Sequence, residues 1–251
     1  FYRPDQPLYY QDDNGPCYTY AYADQMVADA WLALPDDKRA RFAPCFASFE
    51  PTDLAAIAHV KRMYYKYPRM WRGIGEVMCR HDDLTNMLLN KEIPRINHPA
   101  LDPIYEFSIE VGIPVLIHHN ADRVGDNDDD WEYVHEVEDV LSRFPRLQMV
   151  WVHAGVSRRC SEPDHHKMID RLCSTYANLM VDISWVVWEE VILDASGTVK
   201  DGWVECIQKH HTKFFIGSDN VAQFFPIQDT SINLLASNIT KYYQLFNKLS
   251  E

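Results

Sequence analysis

Six short apolar runs recur along this chain of 251 residues, separated by longer stretches of mixed polarity. Short and nearly continuous apolar runs that end at turn residues are typical of parallel strands buried on both faces. The predicted strands cover residues 41–49, 71–78, 113–119, 148–153, 179–184 and 213–219.

The stretches around these strands carry apolar residues at helical spacing. Leu54, Ile57 and Met63 form one such stripe, and Pro68 ends the helix that contains it. The predicted helices cover residues 23–34, 51–67, 101–111, 131–144, 165–176, 203–211 and 231–249. Strands that alternate with helices predict an α/β fold with a parallel sheet.

The spacing of the strands distinguishes between two parallel architectures. Their ends lie 29 to 42 residues apart, and a (β/α)8 barrel of about 250 residues has roughly 31 residues in each strand–helix unit. The main alternative is a doubly wound open sheet, which usually has a glycine-rich phosphate loop after its first strand. The pair Gly73-Ile-Gly75 instead lies inside a predicted strand. We therefore predict a (β/α)8 TIM-like barrel that forms a single domain over residues 1–251.

Residue types that bind metals stand at the predicted strand ends, where such a barrel keeps its active site. They are Glu76, His118, His153 and Asp219. Imidazole and carboxylate groups suit zinc or another divalent first-row metal. Each residue alone has a structural interpretation, as a core ion pair, a hydrogen-bonded histidine or a helix cap. Their joint placement on successive strand ends favours the metal site.

Two adjacent histidines end the third predicted strand. Neighbouring residues in a strand face opposite ways, so His118 and His119 cannot both point into one site. We assign His118 to the metal, and His119 to a supporting position or to a substrate contact if the strand ends there.

The composition narrows the class of partner. The net charge of −13 and the pI of about 5.2 argue against nucleic acid, which needs a basic surface. No apolar run is long enough to cross a bilayer. We therefore predict neither nucleic acid nor a membrane as a partner, and the candidate metal site predicts a small-molecule substrate. The six cysteines show no Cys-x-x-Cys spacing, which favours reduced thiols and a cytoplasmic location.

Five phrases at the strand ends resemble the amidohydrolase superfamily. The similarity is to its amidohydrolase-related (amidohydrolase 2) branch, which includes pyrone-dicarboxylate lactonase and aminocarboxymuconate-semialdehyde decarboxylase. The phrases are Gly73-Ile-Gly-Glu76, Pro114-Val-Leu-Ile-His118, Trp151-Val-His-Ala-Gly155, Val181-Asp-Ile-Ser184 and Ile216-Gly-Ser-Asp219. The resemblance implies a (β/α)8 barrel whose metal centre includes His118, His153 and Asp219, with Glu76 at or near the metal. It is also compatible with a homo-oligomer.

The chain departs from this family in one respect. The first strand of the family carries His-x-His, which supplies two metal ligands, and no His-x-His occurs in these 251 residues. The first strand visible here corresponds to the third of the family. The first one or two units are therefore expected upstream of Phe1, and the rest of the family's final helix is expected beyond Glu251. The alternative is a degenerate barrel that has lost part of its metal site.

Several residues just beyond the strand ends are candidate substrate contacts. Arg158 and Arg159 follow the strand of His153, and an arginine binds carboxylates through two parallel hydrogen bonds. A solvated arginine at a helix start is an equally good interpretation. His119, Asn120 and Trp185 are further candidates, although core packing also accounts for Trp185.

The leading hypothesis is a metal-dependent hydrolase of a small lactone, amide or ester, in which carboxylated substrates would suit the arginines. Zinc would activate water, Asp219 would move the proton, and His153 would help to polarise the carbonyl. A metal-dependent, non-oxidative decarboxylase using the same residues is a second hypothesis. A non-catalytic barrel that acts as a binding protein is a third.

Overall fold

The computed structural model describes residues 23–81, 93–125, 130–157, 160, 163–185, 187–220 and 229–250. The chain divides into two compact units. The first contains the chain up to Asn120 together with His135–Val150, and the second contains Ala121–Val134 and Trp151–Glu251. The prediction of one barrel domain over residues 1–251 therefore stays a prediction.

The first unit alternates helices with short parallel strands. Its elements are α1 (Ala23–Leu32), α2 (Asp36–Arg39), β1 (Cys45–Phe46), α3 (Ala56–Lys66), β2 (Gly73–Met78), α4 (Asp102–Val111), β3 (Val115–His118) and α5 (Val134–Arg143). Strand β1 pairs in parallel with β2, which pairs in parallel with β3. Ile74, Val115 and Ile117 are fully buried, as expected for strands covered on both faces.

Strand β4 (Met149–Val152) crosses the boundary between the units, and a 3-10 turn, His153–Gly155, follows it. The other elements of the second unit are α6 (His165–Thr175), β5 (Leu179–Asp182), a π-helix (Trp188–Ile192), α7 (Asp201–Lys209), β6 (Phe214–Phe215), α8 (Asp229–Thr240) and α9 (Tyr242–Leu249). Strands β5 and β6 pair in parallel. The strand order β1-β2-β3-β4-β5-β6 is the order of the chain.

All six predicted strands are present, and each is shorter than predicted. Six of the seven predicted helices also form where they were expected. The seventh prediction, one helix over residues 231–249, is wrong in its continuity, because α8 ends at Thr240 and α9 begins at Tyr242. At this break Thr240 Oγ1 donates to the Ser237 carbonyl at 2.8 Å, and a side chain that bonds locally competes with the helical pattern.

The five cysteines within the described residues are all free thiols, and four of them are buried. Cys17 lies outside that range. None of the described helices has the length and apolarity needed to cross a membrane. The predicted cytoplasmic location and homo-oligomer stay predictions.

One buried hydroxyl connects the ends of two strands in the second unit. The Tyr242 hydroxyl lies 2.9 Å from the Ile183 carbonyl and 2.8 Å from the Gly217 carbonyl, and accepts the Gly217 N–H at 3.2 Å. The Tyr242 ring is 1% exposed and meets Trp188 edge to face at 5.0 Å between centroids. The C-terminal helix thus holds the segments that follow β5 and β6.

We expect Tyr242→Phe to lower the free energy of unfolding by about 1–3 kcal/mol, because it leaves buried main-chain groups without their partner. Urea unfolding followed by circular dichroism measures the change. Tyr243→Phe is the matched control: Tyr243 is 64% exposed, and its effect should stay within about 0.5 kcal/mol. Equal effects of the two variants would refute the role of the Tyr242 hydroxyl.

Candidate functional site

A glutamate and a histidine meet at the ends of β2 and β3 in the first unit. Glu76 Oε1 lies 2.9 Å from His118 Nδ1, and the side chains are 30% and 4% exposed, respectively. The ring of His81 stacks on that of His118, with centroids 4.6 Å apart and planes at 26°. This hydrogen bond and this stacked contact both hold the imidazole of His118.

An irregularity in β2 lies beside Glu76. The register between β2 and β3 shifts between Ile74 and Val77. Gly75 has φ +147°, and a Cβ there would lie 2.5 Å from the main-chain oxygen of Leu116. Only glycine combines that φ with so close an approach, which gives the Gly-x-Gly-Glu phrase a structural reason.

His119 takes partners different from those of His118, as the alternation of strand side chains predicts. Its Nε2 lies 2.8 Å from Glu136 Oε2, and its side chain is fully buried. Arg80 donates to both oxygens of Glu136, from Nε at 2.7 Å and from Nη2 at 2.5 Å. The structure places His119 in a buried ion network, and its contact with a substrate stays a prediction.

The network changes how its members ionise. Burial alone would raise the pKa of Glu136, but the hydrogen bonds from Arg80 and His119, together with the charge of Arg80, outweigh it and lower that pKa to about 2. Burial lowers the pKa of His119, and its bond to Glu136 only partly opposes this. The neutral imidazole of His119 therefore donates from Nε2 to an ionised Glu136. Sequence reasoning missed Glu136, since a helix pattern does not show which acidic residue faces inward.

Of the predicted substrate contacts Asn120, Arg158 and Arg159, the structure describes only Asn120. The main-chain N–H of Asn120 donates to the Arg80 carbonyl at 2.9 Å, and the residue is buried. Arg158 and Arg159 lie outside the described residues. All three stay predicted substrate contacts.

In the second unit, His153 does not extend β4 but begins the tight turn after it. His153, Ala154 and Gly155 all have left-handed φ angles, of +58°, +52° and +70°. A Cβ on Gly155 would lie 2.1 Å from Trp151 Cζ2, so glycine is required by both space and φ. Ala154 is held as well, because its carbonyl lies 2.8 Å from Nε2 of the buried His165. The strand prediction for residues 148–153 thus runs one residue too far.

The imidazole of His153 is joined to Asp182 through a serine. His153 Nδ1 lies 2.9 Å from Ser184 Oγ, which donates to Asp182 Oδ2 at 2.5 Å. The ring of Trp185 lies against His153, with centroids 4.9 Å apart and planes at 49°. Trp185 therefore packs on a candidate ligand, and its contact with substrate stays a prediction. Sequence reasoning placed Asp182 at a strand end and did not foresee the part played by Ser184.

Asp219 lies in the segment after β6, is half-buried and has φ +45°. The residues before it are held in place: Asn238 Nδ2 donates to the Ser218 carbonyl at 3.0 Å, and Gly217 bonds Tyr242. Helices α8 and α9 thus fix the main chain that carries this carboxylate.

Comparison with known proteins identifies the fold and the family. The family model for amidohydrolases matches residues 17–213, which include Glu76, His118 and His153 but not Asp219. No curated protein matches the chain. An uncharacterized TIM-barrel protein from Bordetella bronchiseptica superposes with a TM-score of 0.53 at 15% identity, over 91% of this chain and 73% of that one. The likeness confirms the predicted TIM-barrel fold.

Two further solved structures are more distant. One is 5-carboxyvanillate decarboxylase from Sphingomonas paucimobilis, with a TM-score of 0.49 and 16% identity over 95% of this chain and 73% of that one. The other is a putative 2-pyrone-4,6-dicarboxylic acid hydrolase from Pseudomonas putida, with a TM-score of 0.47 and 14% identity over 89% and 70%. They carry no argument about the reaction of this chain.

Replacement of Glu136 tests the buried network. Glu136→Gln should lower the free energy of unfolding at pH 7 by about 3 kcal/mol, because the charge of Arg80 loses its partner in the core. The folded-state pKa lies below the ordinary value of 4.5. The Glu136 contribution is therefore fully present above about pH 4.5 and is lost as the pH falls toward 2.

Denaturant unfolding at several pH values between 7 and 3 measures this effect. The difference between wild type and Glu136→Gln should stay constant from pH 7 down to about pH 4.5 and should shrink as the pH falls further. Glu110→Gln, on an exposed position of α4, should change the free energy of unfolding by less than about 0.5 kcal/mol. A wild-type advantage that does not depend on pH would contradict the depressed pKa.

Proposed function

We propose that this chain, which belongs to the amidohydrolase family, is a metal-dependent hydrolase of a small lactone, amide or ester. Family membership supports an enzyme. The observation that carries the proposal is the donor chemistry of the two strand-end histidines. His118 and His153 each engage Nδ1 with an acceptor of their own unit, Glu76 and Ser184 respectively.

This pattern fits a divalent metal. A histidine that donates one ring N–H to a neighbouring oxygen presents its other nitrogen as a ligand, and such outer partners fix the tautomer. We assign Nε2 of His118 and Nε2 of His153 as metal ligands. We assign Glu76 as the third ligand. One of its oxygens accepts the hydrogen bond from His118 Nδ1, and its negative charge would offset part of the charge of the metal. Asp219 is assigned as a fourth residue of the centre.

The chemistry divides among these residues. A divalent metal, for which zinc suits the imidazole and carboxylate donors best, supplies Lewis acidity that makes water a nucleophile near neutral pH. Asp219 takes the proton of the attacking water and delivers it to the leaving group. With Nδ1 bonded to Ser184 and Nε2 assigned to the metal, His153 helps to polarise the scissile carbonyl only through the metal that it would hold. Asn120, Trp185, His119 and the arginine pair 158–159 are the assigned substrate contacts.

The experiment is a metal-content and activity measurement on the full-length protein. Wild type, expressed with added zinc, should retain about one divalent ion and hydrolyse members of a panel of lactones, amides and esters. His118→Gln and His153→Gln should each weaken zinc binding by more than the roughly 10- to 100-fold that loss of an outer partner costs, since each removes a direct ligand. His211→Gln is the matched control, because His211 is exposed and bonds only locally, to the Gln208 carbonyl at 3.3 Å.

The products decide the reaction class. Incorporation of oxygen from labelled water into the product is expected for the hydrolase. Carbon dioxide release without addition of water would support the decarboxylase instead. A wild-type protein that retains no divalent metal and gains no activity on metal addition would overturn the proposal in favour of the non-catalytic barrel.

A further inference from the structure

We propose that Asp182 and Ser184 are positioning residues that hold His153 in the single tautomer with its proton on Nδ1. In this arrangement His153 Nδ1–H donates to Ser184 Oγ, and the Ser184 hydroxyl donates to Asp182 Oδ2. The use of this tautomer in metal binding rests on the proposed function, but the tautomer itself does not.

The direction of the chain of hydrogen bonds follows from Asp182. Its Oδ2 receives the Ser184 hydroxyl at 2.5 Å, the His153 main-chain N–H at 3.2 Å and the Ser184 main-chain N–H at 3.3 Å. An oxygen that accepts three donors carries no proton of its own, because a protonated carboxyl oxygen would have to donate. A serine hydroxyl has one proton, and that of Ser184 is committed to Asp182. Ser184 Oγ can therefore only accept from His153 Nδ1 at 2.9 Å.

Burial strengthens this arrangement. The side chains of His153 and Asp182 are 4% and 14% exposed, and Ser184 is 4% exposed. Hydrogen bonds to an ionised group are the strong ones, and linked bonds in a low-dielectric setting polarise one another. The direct distance from His153 Nδ1 to Asp182 Oδ2 is 3.5 Å, so the serine is the closer partner and transmits the carboxylate charge.

The surrounding main chain is shaped to receive these groups. Asp182 Oδ2 binds both the backbone N–H of His153 and, through Ser184, its ring, so one oxygen sets both the turn and the imidazole. On the other side of the carboxylate, a Cβ on Gly217 would lie 2.9 Å from Asp182 Oδ1 and 3.1 Å from Ser184 Cβ. Because Gly217 has no side chain, the side chains of Asp182 and Ser184 can occupy this space.

The functional consequence concerns the nitrogen that is left. With the proton on Nδ1, Nε2 carries the lone pair that a metal or an electrophile needs. A mixture of tautomers would reduce the fraction of molecules able to bind. Replacement of outer partners of this kind typically costs 10- to 100-fold in metal affinity.

The test measures the tautomer directly, in protein freed of metal by a chelator. Histidine labelled with ¹⁵N reports which ring nitrogen carries the proton, and His153→Gln assigns the resonance among the 11 histidines. In alkaline buffer the wild type should show His153 protonated on Nδ1 alone. Ser184→Ala should shift it toward a mixture or toward Nε2–H, and Ser184→Thr, which restores the hydroxyl, should return the wild-type pattern.

A second variant and a control complete the design. Asp182→Asn should also disturb the tautomer, because an amide no longer draws the serine proton toward a charge. Ser108→Ala removes a different buried hydroxyl bond, to the Ile113 carbonyl at 2.5 Å, and should leave the His153 spectrum unchanged. Zinc titration should then show about 10- to 100-fold weaker binding for Ser184→Ala than for Ser184→Thr.

Two outcomes would overturn the inference: a wild-type His153 protonated on Nε2, or a Ser184→Ala spectrum identical to that of wild type. Failure of the proposed function looks different. In that case wild type would bind no zinc, while the Nδ1 tautomer and its dependence on Ser184 would still be observed.

Discussion

The hydrogen bond at Nδ1 of each strand-end histidine is the interaction on which the candidate chemistry depends. Glu76 takes this position against His118, and Ser184 takes it against His153. Imidazole has two nitrogens, and the partner of one decides what the other can do. A strand end alone would place the ring but would not choose its tautomer.

The backbone around these bonds is shaped by positions that exclude a side chain. Gly75 follows a sharp path against Leu116, and Gly155 ends a left-handed turn against Trp151. The strands are only two to six residues long, so their own hydrogen bonds do little to position the residues at their ends. Those residues depend on other contacts, such as these turns. In the second unit, Tyr242 supplies such contacts through its hydroxyl.

The sequence was sufficient to predict the strands, most helices and the TIM-barrel fold, because apolar runs and their spacing are properties of the chain itself. It also led to the assignment of His118, His153 and Glu76 to a metal, by residue type at the strand ends, and that assignment stays a prediction. It could not predict the Glu136 network or the Ser184 bridge, since both join residues 17 to 56 positions apart. Asp219 and the substrate contacts stay predictions, and Arg158 and Arg159 lie outside the described residues.

The central claim is that His118 and His153 bind one divalent metal through Nε2. Anomalous diffraction from zinc-loaded crystals of the full-length protein tests it most directly. The account predicts one zinc peak within about 2.0–2.1 Å of Nε2 of both histidines, with Nδ1 of His153 still on Ser184. A zinc bound through Nδ1 of either ring, or no peak at these histidines, would contradict it.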